Sequence, residues 1–531
     1  MAKFIFITGG VVSGLGKGIT GSSLGVLLKQ SGFNVFMQKF DPYLNIDPGT
    51  MNPVEHGEVY VTEDGGETDL DLGHYERFTD VTLNKLSAVS AGKIYLEVLD
   101  KERHGKYKGK TVQVIPHITN AIKEKIYEAE KISQADIIIC EIGGTVGDIE
   151  SQPFIEAIRQ VKMERGVNNT VFIHVGLIPF LKVSEEHKTK PIQHSVRETL
   201  SLGIQPDIII ARTEGKIKEE LKLKISLFCN IEINNVIICP DTDTIYRVPF
   251  ILQESNLHKI IANKLNINVE KTDMSNWKEL IKDIDESKKE LKIHVVGKYI
   301  DLKDAYLSVI ESLRFSGYKI HKKIKFVWIN SRKLTAENIV EQLNDAKGIL
   351  VPGGFGQDGT EGKILAINYA RVHDIPFLGI CFGMQFACIE FARNVLNLKD
   401  ADSTEINPNT LNPIIDIIEG KERKKIGGTL RLGKYTTKLK KGSIAQKLYN
   451  SDIAIERHRH RYEFNNDYLK QFEESGMVFS GIYEEQNLIE IIEFPKNKFF
   501  VACQYHPEFT SRPNKPNPLF KGFVDAVEKY Q

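Results

Sequence analysis

Short apolar runs recur through the first half of the chain, at Lys3–Thr8, Ile137–Cys140, Thr170–Val175, Ile208–Ala211 and Val236–Cys239, with longer mixed or amphipathic stretches between them. A continuous apolar run is buried on both faces, so the pattern predicts a parallel sheet covered by helices. The rhythm restarts at Ile293–Gly297, Lys325–Ile329, Gly348–Val351 and Phe377–Gly379, which predicts a second α/β domain. Between the two halves, from Asn266 to Glu290, the composition turns polar and charge-rich. The expected domains are therefore 1–265 and 291–531, joined by a linker over 266–290. A chain of 531 residues also exceeds what one core usually organises.

Composition narrows the function classes. Lys plus Arg equals Asp plus Glu at 70 each, so the whole-chain balance gives no reason to expect nucleic acid or an anionic membrane as partner. Six scattered cysteines (140, 229, 239, 381, 388, 503), with no C-x-x-C pair, fit a reduced, cytoplasmic setting. The apolar stretch Val171–Leu181 is interrupted by His174, Gly176 and Pro179 and falls short of the ~18 residues a membrane span needs.

Candidate chemistry stands at two places. After the run Ile375–Leu378 comes Gly379-Ile380-Cys381-Phe382-Gly383, a cysteine between glycines at a predicted strand-to-helix turn, which is the pattern of a nucleophile elbow. His506 and Glu508 supply a base and a carboxylate to orient it, and ammonia release from glutamine is the reading these three groups favour. At the other end, Thr8–Thr20 follows the first strand with a glycine-rich turn and a predicted helix from Ser22 to Gln30, an anion cradle in which Lys17 reaches outer phosphates. It departs from a strict P-loop motif: five residues separate Gly10 from Gly16, and Gly18 stands where a Ser or Thr usually meets Mg²⁺. Carboxylates for such a metal are offered by Glu141, just past a buried strand, and by the acidic run Glu63–His74, within which spacing does not choose Asp71 over Asp69.

The stretches Gly9–Gly18, Lys39–Tyr43, His56–Val59, Asp69–Phe78, Glu141–Glu150, Lys188–Val196, Val351–Gly356, Arg457–Glu463 and the turns around Cys381 and His506 together resemble the CTP synthase family over nearly the whole chain. The resemblance implies a P-loop-like amidoligase domain followed by a class I glutamine amidotransferase domain. It also implies a reaction in which ATP phosphorylates the 4-oxygen of UTP and ammonia, channelled from glutamine, displaces the phosphate. ATP would lie on Gly14, Leu15, Gly16, Lys17, Gly18 and Ile19 with Lys39, Mg²⁺ on Asp71 and Glu141, and the adenine near Asp241 and Thr242. UTP, and CTP as feedback inhibitor, would meet Ser13, Asp148, Ile149, Glu150, Lys188, Thr189, Lys190, Pro191, Ile192, Gln193 and Lys224. Glutamine would meet the oxyanion donors at Gly354 and Phe382, the turn Gly383, Met384 and Gln385, and Glu405 and Arg461. GTP is implied as activator, in part through Arg103–Tyr107, and a homotetramer as the assembly. His458 and His460 are expected on an arginine-rich surface strand without a catalytic role.

Three rival readings remain at this level. They are a glutaminase whose first domain only senses nucleotide, a non-catalytic scaffold or filament subunit, and an amidoligase with a different acceptor. Lys39, Asp71 and Glu141 weigh against the first, the intact Cys381, His506 and Glu508 against the second, and the loop Lys188–Gln193 against the third.

Overall fold

The computed structural model describes residues 1–530 apart from 13, 216, 301 and 418–429. The chain forms two compact units, neither contiguous in sequence: Met1–Asp47 with Asp71–Ser275, and Pro48–Leu70 with Asn276–Gln531. Among the described residues no helix is long and apolar enough to cross a membrane.

The first unit is built on seven strands, β1 (Lys3–Gly9), β2 (Val35–Asp41), β3 (Ala88–Ser90), β4 (Ile137–Ile142), β5 (Thr170–Ile178), β6 (Ile208–Thr213) and β7 (Val236–Pro240), in the order β7-β6-β5-β1-β4-β2-β3. Every pairing is parallel, as the continuous apolar runs predict. Register decides which side chains meet at the sheet's end. Glu141 on β4 stands beside Ile7 on β1 and Lys39 on β2, so residues over a hundred positions apart become neighbours. Four helices matter for this unit's site: α1 (Lys17–Gln30), α2 (Leu70–Thr79), α3 (Lys190–Ser201) and α4 (Glu219–Cys229).

The main sheet of the second unit has nine strands: β8 (Lys289–Gly297), β9 (Lys322–Asn330), β10 (Ile349–Val351), β11 (Phe377–Ile380), β12 (Arg431–Leu439), β13 (Ile453–His460), β14 (Val478–Tyr483), β15 (Leu488–Glu493) and β16 (Phe500–Cys503). Their order is β9-β8-β10-β11-β16-β15-β14-β12-β13. The first five pair in parallel and the rest antiparallel. Helices α5 (Thr360–Val372) and α6 (Phe382–Asn394) follow β10 and β11. The charge-rich stretch before β8 carries a helix over Ser275–Glu286 that buries Trp277 and Leu280.

Residues 48–70 are held on this second unit by buried polar contacts. The Tyr60 hydroxyl donates to the Phe509 carbonyl at 2.9 Å, Arg457 donates to the Val61 carbonyl at 3.0 Å, and Arg459 pairs with Glu67 at 2.8 Å. Glu58 accepts from the Ser308 N–H at 2.8 Å and also from its hydroxyl.

Candidate active sites

Cys381 sits at φ 51°, ψ −103°, between β11 and α6, in a left-handed conformation that a β-carbon resists. Neighbouring glycine makes the turn possible: a Cβ on Gly383 would lie 2.2 Å from the Val351 carbonyl oxygen, so the helix could not otherwise start so close to β10. The Cys381 N–H donates to the Cys503 carbonyl at 2.7 Å, and its sulfur receives the Gln504 amide at 3.7 Å. Helix α6 opens at Phe382, whose first-turn N–H groups are the kind a helix leaves without internal acceptors.

His506 lies against the same point. A Cβ built on Gly353 would be 3.1 Å from the His506 ring and 3.7 Å from the Cys381 Cβ. Nδ1 of His506 is 2.7 Å from Glu508 Oε1, while Nε2 is buried on the side that faces Cys381 and meets no hydrogen-bond acceptor among the described residues. Burial opposes a charge on this imidazole, but the Glu508 carboxylate and then Cys381 outweigh it and push the pKa up to about 10. A cavity of about 80 Å³ adjoins these residues, lined by Pro53, Glu58, Val59, Tyr306, Gly353 and His506 among others.

The residues expected around glutamine divide into two groups. Glu405 Oε1 accepts the Gly356 N–H at 3.0 Å; burial raises its pKa, against that bond and the charge of Arg461. Met384 is packed in the core, and Gln385 is spent internally, donating to the Tyr462 carbonyl at 2.9 Å and to Gln504 at 3.2 Å. Their side chains therefore support the turn, and their N–H groups already donate to the Cys381 carbonyl at 3.0 and 3.1 Å. His458 and His460 correct the surface-strand expectation. Both are buried on β13 with Nδ1 and Nε2 2.9 Å apart, in a cluster where Arg431 reaches Glu490 at 2.6 Å and Glu463 at 3.2 Å. Burial, with Arg431 beside them, holds both imidazoles well below their ordinary pKa.

In the first unit, Gly14–Ile19, Lys39, Asp71 and Glu141 line one cavity of about 310 Å³, together with His74 and Gly144. Gly16 caps α1 at φ 90°, Lys17 donates to the Gly144 carbonyl, and Lys39 contacts Asp71 at 2.5 Å and Asp41 at 3.2 Å. The Tyr75 hydroxyl donates to Glu141. A Cβ on Gly18 would fall 2.6 Å from Asp71 Oδ1 and 3.3 Å from Glu141 Oε2, so the two carboxylates converge on the spot that glycine leaves open. Their environments differ. Burial and the Asp71 charge raise Glu141 to about 7, whereas Asp71, despite its own burial, is held low by Lys39. The acidic run does not act as one loop: Glu63 pairs with Lys434 and Glu67 with Arg459 in the second unit, and Asp71 joins the first.

Other expected residues are placed less directly. Asp241 pairs at 2.7 Å with Arg212, whose Nε lies 3.8 Å from where a Cβ on Gly16 would be, so Arg212 at the end of β6 links the 241–242 turn to the phosphate loop. The Thr242 hydroxyl donates to the Thr244 carbonyl. Asp148, Ile149 and Glu150 are exposed after β4, Thr189 caps α3, and Lys190 lies 5.8 Å from the Phe228 ring centre on α4, the helix that carries Lys224. Lys188 is engaged by Glu186. Ile192 is buried against Gly176, which leaves only its main chain for a ligand; Gln193 is also buried, with Nε2 on Thr189 and Oε1 unpaired. Ser13 lies outside the described residues. Sequence reasoning missed Arg212 and the buried His174, which joins Thr8 at 3.0 Å to Ser195 at 2.6 Å; the position of Arg212 at a parallel strand's carboxyl end is the signal that marks it.

Two family models match the two halves of the chain. The family described as CTP synthase N-terminus matches residues 3–267, and glutamine amidotransferase class-I matches residues 301–526. The chain is 62% identical over 527 residues to the CTP synthase of Mycoplasma mycoides subsp. mycoides SC, covering 99% of each. It is 56% identical over 533 residues to that of Staphylococcus aureus, covering 100% of this chain and 99% of the relative. Among solved structures, the glutaminase domain of Trypanosoma brucei CTPS with bound acivicin is similar at 34% identity and a TM-score of 0.43, over 45% of this chain and 94% of that one.

Proposed function

The chain belongs to the CTP synthase family of glutamine-hydrolysing ligases, with UTP, ATP and L-glutamine as substrates, and from that premise we propose how its residues divide the work. Residues 291–531, with 48–70 packed on them, belong to the glutaminase and the rest of 1–265 to the synthetase, joined through 266–290. Cys381 attacks the glutamine amide carbon, its thiol proton passes through His506 to the ammonia that leaves as the C–N bond breaks, and water activated by His506 then cleaves the γ-glutamyl thioester to glutamate and the free thiol. Glu508 holds the imidazolium in place. The tetrahedral oxyanion is received by the N–H groups of Gly354 and Phe382, and Glu405 and Arg461 take the substrate's α-amino and α-carboxylate groups. Ammonia leaves unprotonated through the cavity beside His506 and travels within the protein to the second reaction.

In the synthetase, the Gly14–Ile19 loop holds the ATP phosphates, and Lys17 and Lys39 balance charge on the phosphoryl group as it moves to the 4-oxygen of UTP. Ammonia then replaces that phosphate at the pyrimidine carbon. Asp71 and Glu141 suit Mg²⁺, since this ion takes one or two carboxylates together with phosphate oxygens, and the two groups converge at Gly18. When bound, the ion neutralises charge on the transferring phosphate. Asp148–Glu150, Lys188–Gln193, Ser13 and Lys224 recognise UTP, and CTP as inhibitor; Asp241 and Thr242 meet the adenine. GTP activation through Arg103–Tyr107, a homotetramer and a cytoplasmic setting complete the proposal.

The observation that carries this reading is the convergence of the Cys381 elbow with the His506–Glu508 pair. Its test is CTP formation from UTP, ATP and Mg²⁺, with ammonia and then with glutamine, for the wild-type chain and Cys381→Ala. The variant should keep the ammonia-supported rate and lose the glutamine-supported one by at least about a thousandfold. Loss of both, or of neither, sinks the two-site assignment.

A further inference from the structure

Lys363, on the first turn of α5, is wholly buried, and its Nζ has no hydrogen-bond partner among the described residues. The side chain ends beside the proposed oxyanion site. Nζ lies 4.9 Å from the Phe382 ring centre and 5.7 Å from that of Phe386, and 3.2 Å from where a Cβ on Gly354 would stand. An ammonium buried without an acceptor is costly, and aromatic faces return only part of that cost. Such a charge is fully compensated only when negative charge arrives next to it.

The ionisable groups facing Lys363 are Lys298 at the end of β8, Cys381 at the start of α6, and Glu405. Three successive residues of one turn are thereby met by charged side chains: Gly354 by Lys363, the Phe355 carbonyl by Lys298, and the Gly356 N–H by Glu405. Burial, with Lys298 adding to it, lowers the Lys363 pKa to about 7 against the opposite pull of Cys381 and Glu405.

We propose that Lys363 is a positioning residue of the glutaminase, its ammonium supplying next to the Gly354 peptide the positive field that stabilises the Cys381 thiolate and then the oxyanion on the glutamine amide. This deepens, and rests on, the glutaminase reading of Cys381. The alternative is a lysine that merely fills space with its aliphatic stem.

Lys363→Met separates the two, because it keeps the volume and the apolar stem and removes the charge; relieving a buried unpaired ammonium also favours folding. The expected result is a glutamine-supported kcat lower by about tenfold to a hundredfold, with KM for glutamine within about threefold, since one direct oxyanion donor is worth more than this. The rate of Cys381 alkylation by iodoacetamide at one fixed pH, followed by peptide mass, should fall by about tenfold. Thermal unfolding beside the wild type reports whether the second unit is folded, and the ammonia-supported rate whether the first is. A variant with unchanged kcat, or with reduced kcat but an unchanged alkylation rate, overturns the proposal and leaves a packing lysine. If the wild-type chain hydrolyses no glutamine, it is the glutaminase reading that fails first.

Discussion

Gly18→Ala is a one-carbon test of the metal assignment. The added Cβ would sit 2.6 Å from Asp71 Oδ1, against an ordinary separation of about 3.5 Å. Asp71 must therefore retreat by roughly 0.9 Å, from a position where it also contacts Lys39 at 2.5 Å. Metal–ligand distances tolerate only about ±0.2 Å, and a misplacement near 1 Å at a reacting centre costs on the order of a hundredfold in rate. That is about 2.7 kcal/mol of barrier. Folding should not suffer equally: Gly18 has helical backbone as the second residue of α1, where alanine is at least as well accommodated as glycine, which offsets part of the crowding. The assay is ammonia-supported CTP formation across a Mg²⁺ titration, with thermal unfolding alongside. The expected outcome is a rate lower by about a hundredfold, partly recovered at high Mg²⁺, at a melting temperature close to the wild type. An ammonia-supported rate within threefold, with the same Mg²⁺ dependence, would refute the reasoning, because neither carboxylate could then be serving the transferred phosphate.

Glu508→Gln removes the charge that most strongly favours the His506 imidazolium, so its pKa should fall from about 10 and the glutamine-supported kcat should drop by about a hundredfold to ten-thousandfold while ammonia still supports turnover; an unchanged glutamine rate would remove Glu508 from the site. Glu456 is buried among Tyr449, Thr510 and Asn517, and burial raises its pKa from 4.5 to about 7. The folded chain then holds more protons than the unfolded one between those values, so this group's contribution to stability falls as pH rises through that window. Glu456→Gln should therefore flatten the difference between urea midpoints at pH 5 and pH 8 and gain up to about 3 kcal/mol at pH 8; lower stability at pH 8 would mean the carboxylate is ionised in the fold. Arg431→Leu leaves Glu463 and Glu490 buried without their cation, and a loss of about 3–5 kcal/mol is expected in urea unfolding of the second unit; a loss below about 1 kcal/mol would show that the pair carries no net charge in the native state.

What the sequence by itself determined is the chemistry that is local along the chain. A cysteine between glycines after an apolar run specifies a strand-to-helix corner wherever it folds, and Gly379-Ile380-Cys381-Phe382-Gly383 forms one. His506 and Glu508, two residues apart, meet within one short turn. The glycine turn at Gly14–Gly18 that opens α1 was legible for the same reason, and continuous apolar runs sufficed for parallel sheets because burial on both faces leaves its mark on composition. Register and long-range pairing were left to the tertiary structure. Nothing local places Glu141 beside Lys39; the β2–β4 ladder does. The acidic run Glu63–His74 reads as one solvated loop, yet Arg459 and Lys434 draw its first part to one unit while Asp71 turns toward Lys39 in the other. The antiparallel strands β12–β15 left too little mark on the pattern to be anticipated, and they are what buries His458 and His460 in an arginine-rich strand that looks exposed. Lys363 was illegible for a related reason: a lysine's default is water, and only packing of α5 against α6 deprives this one of it.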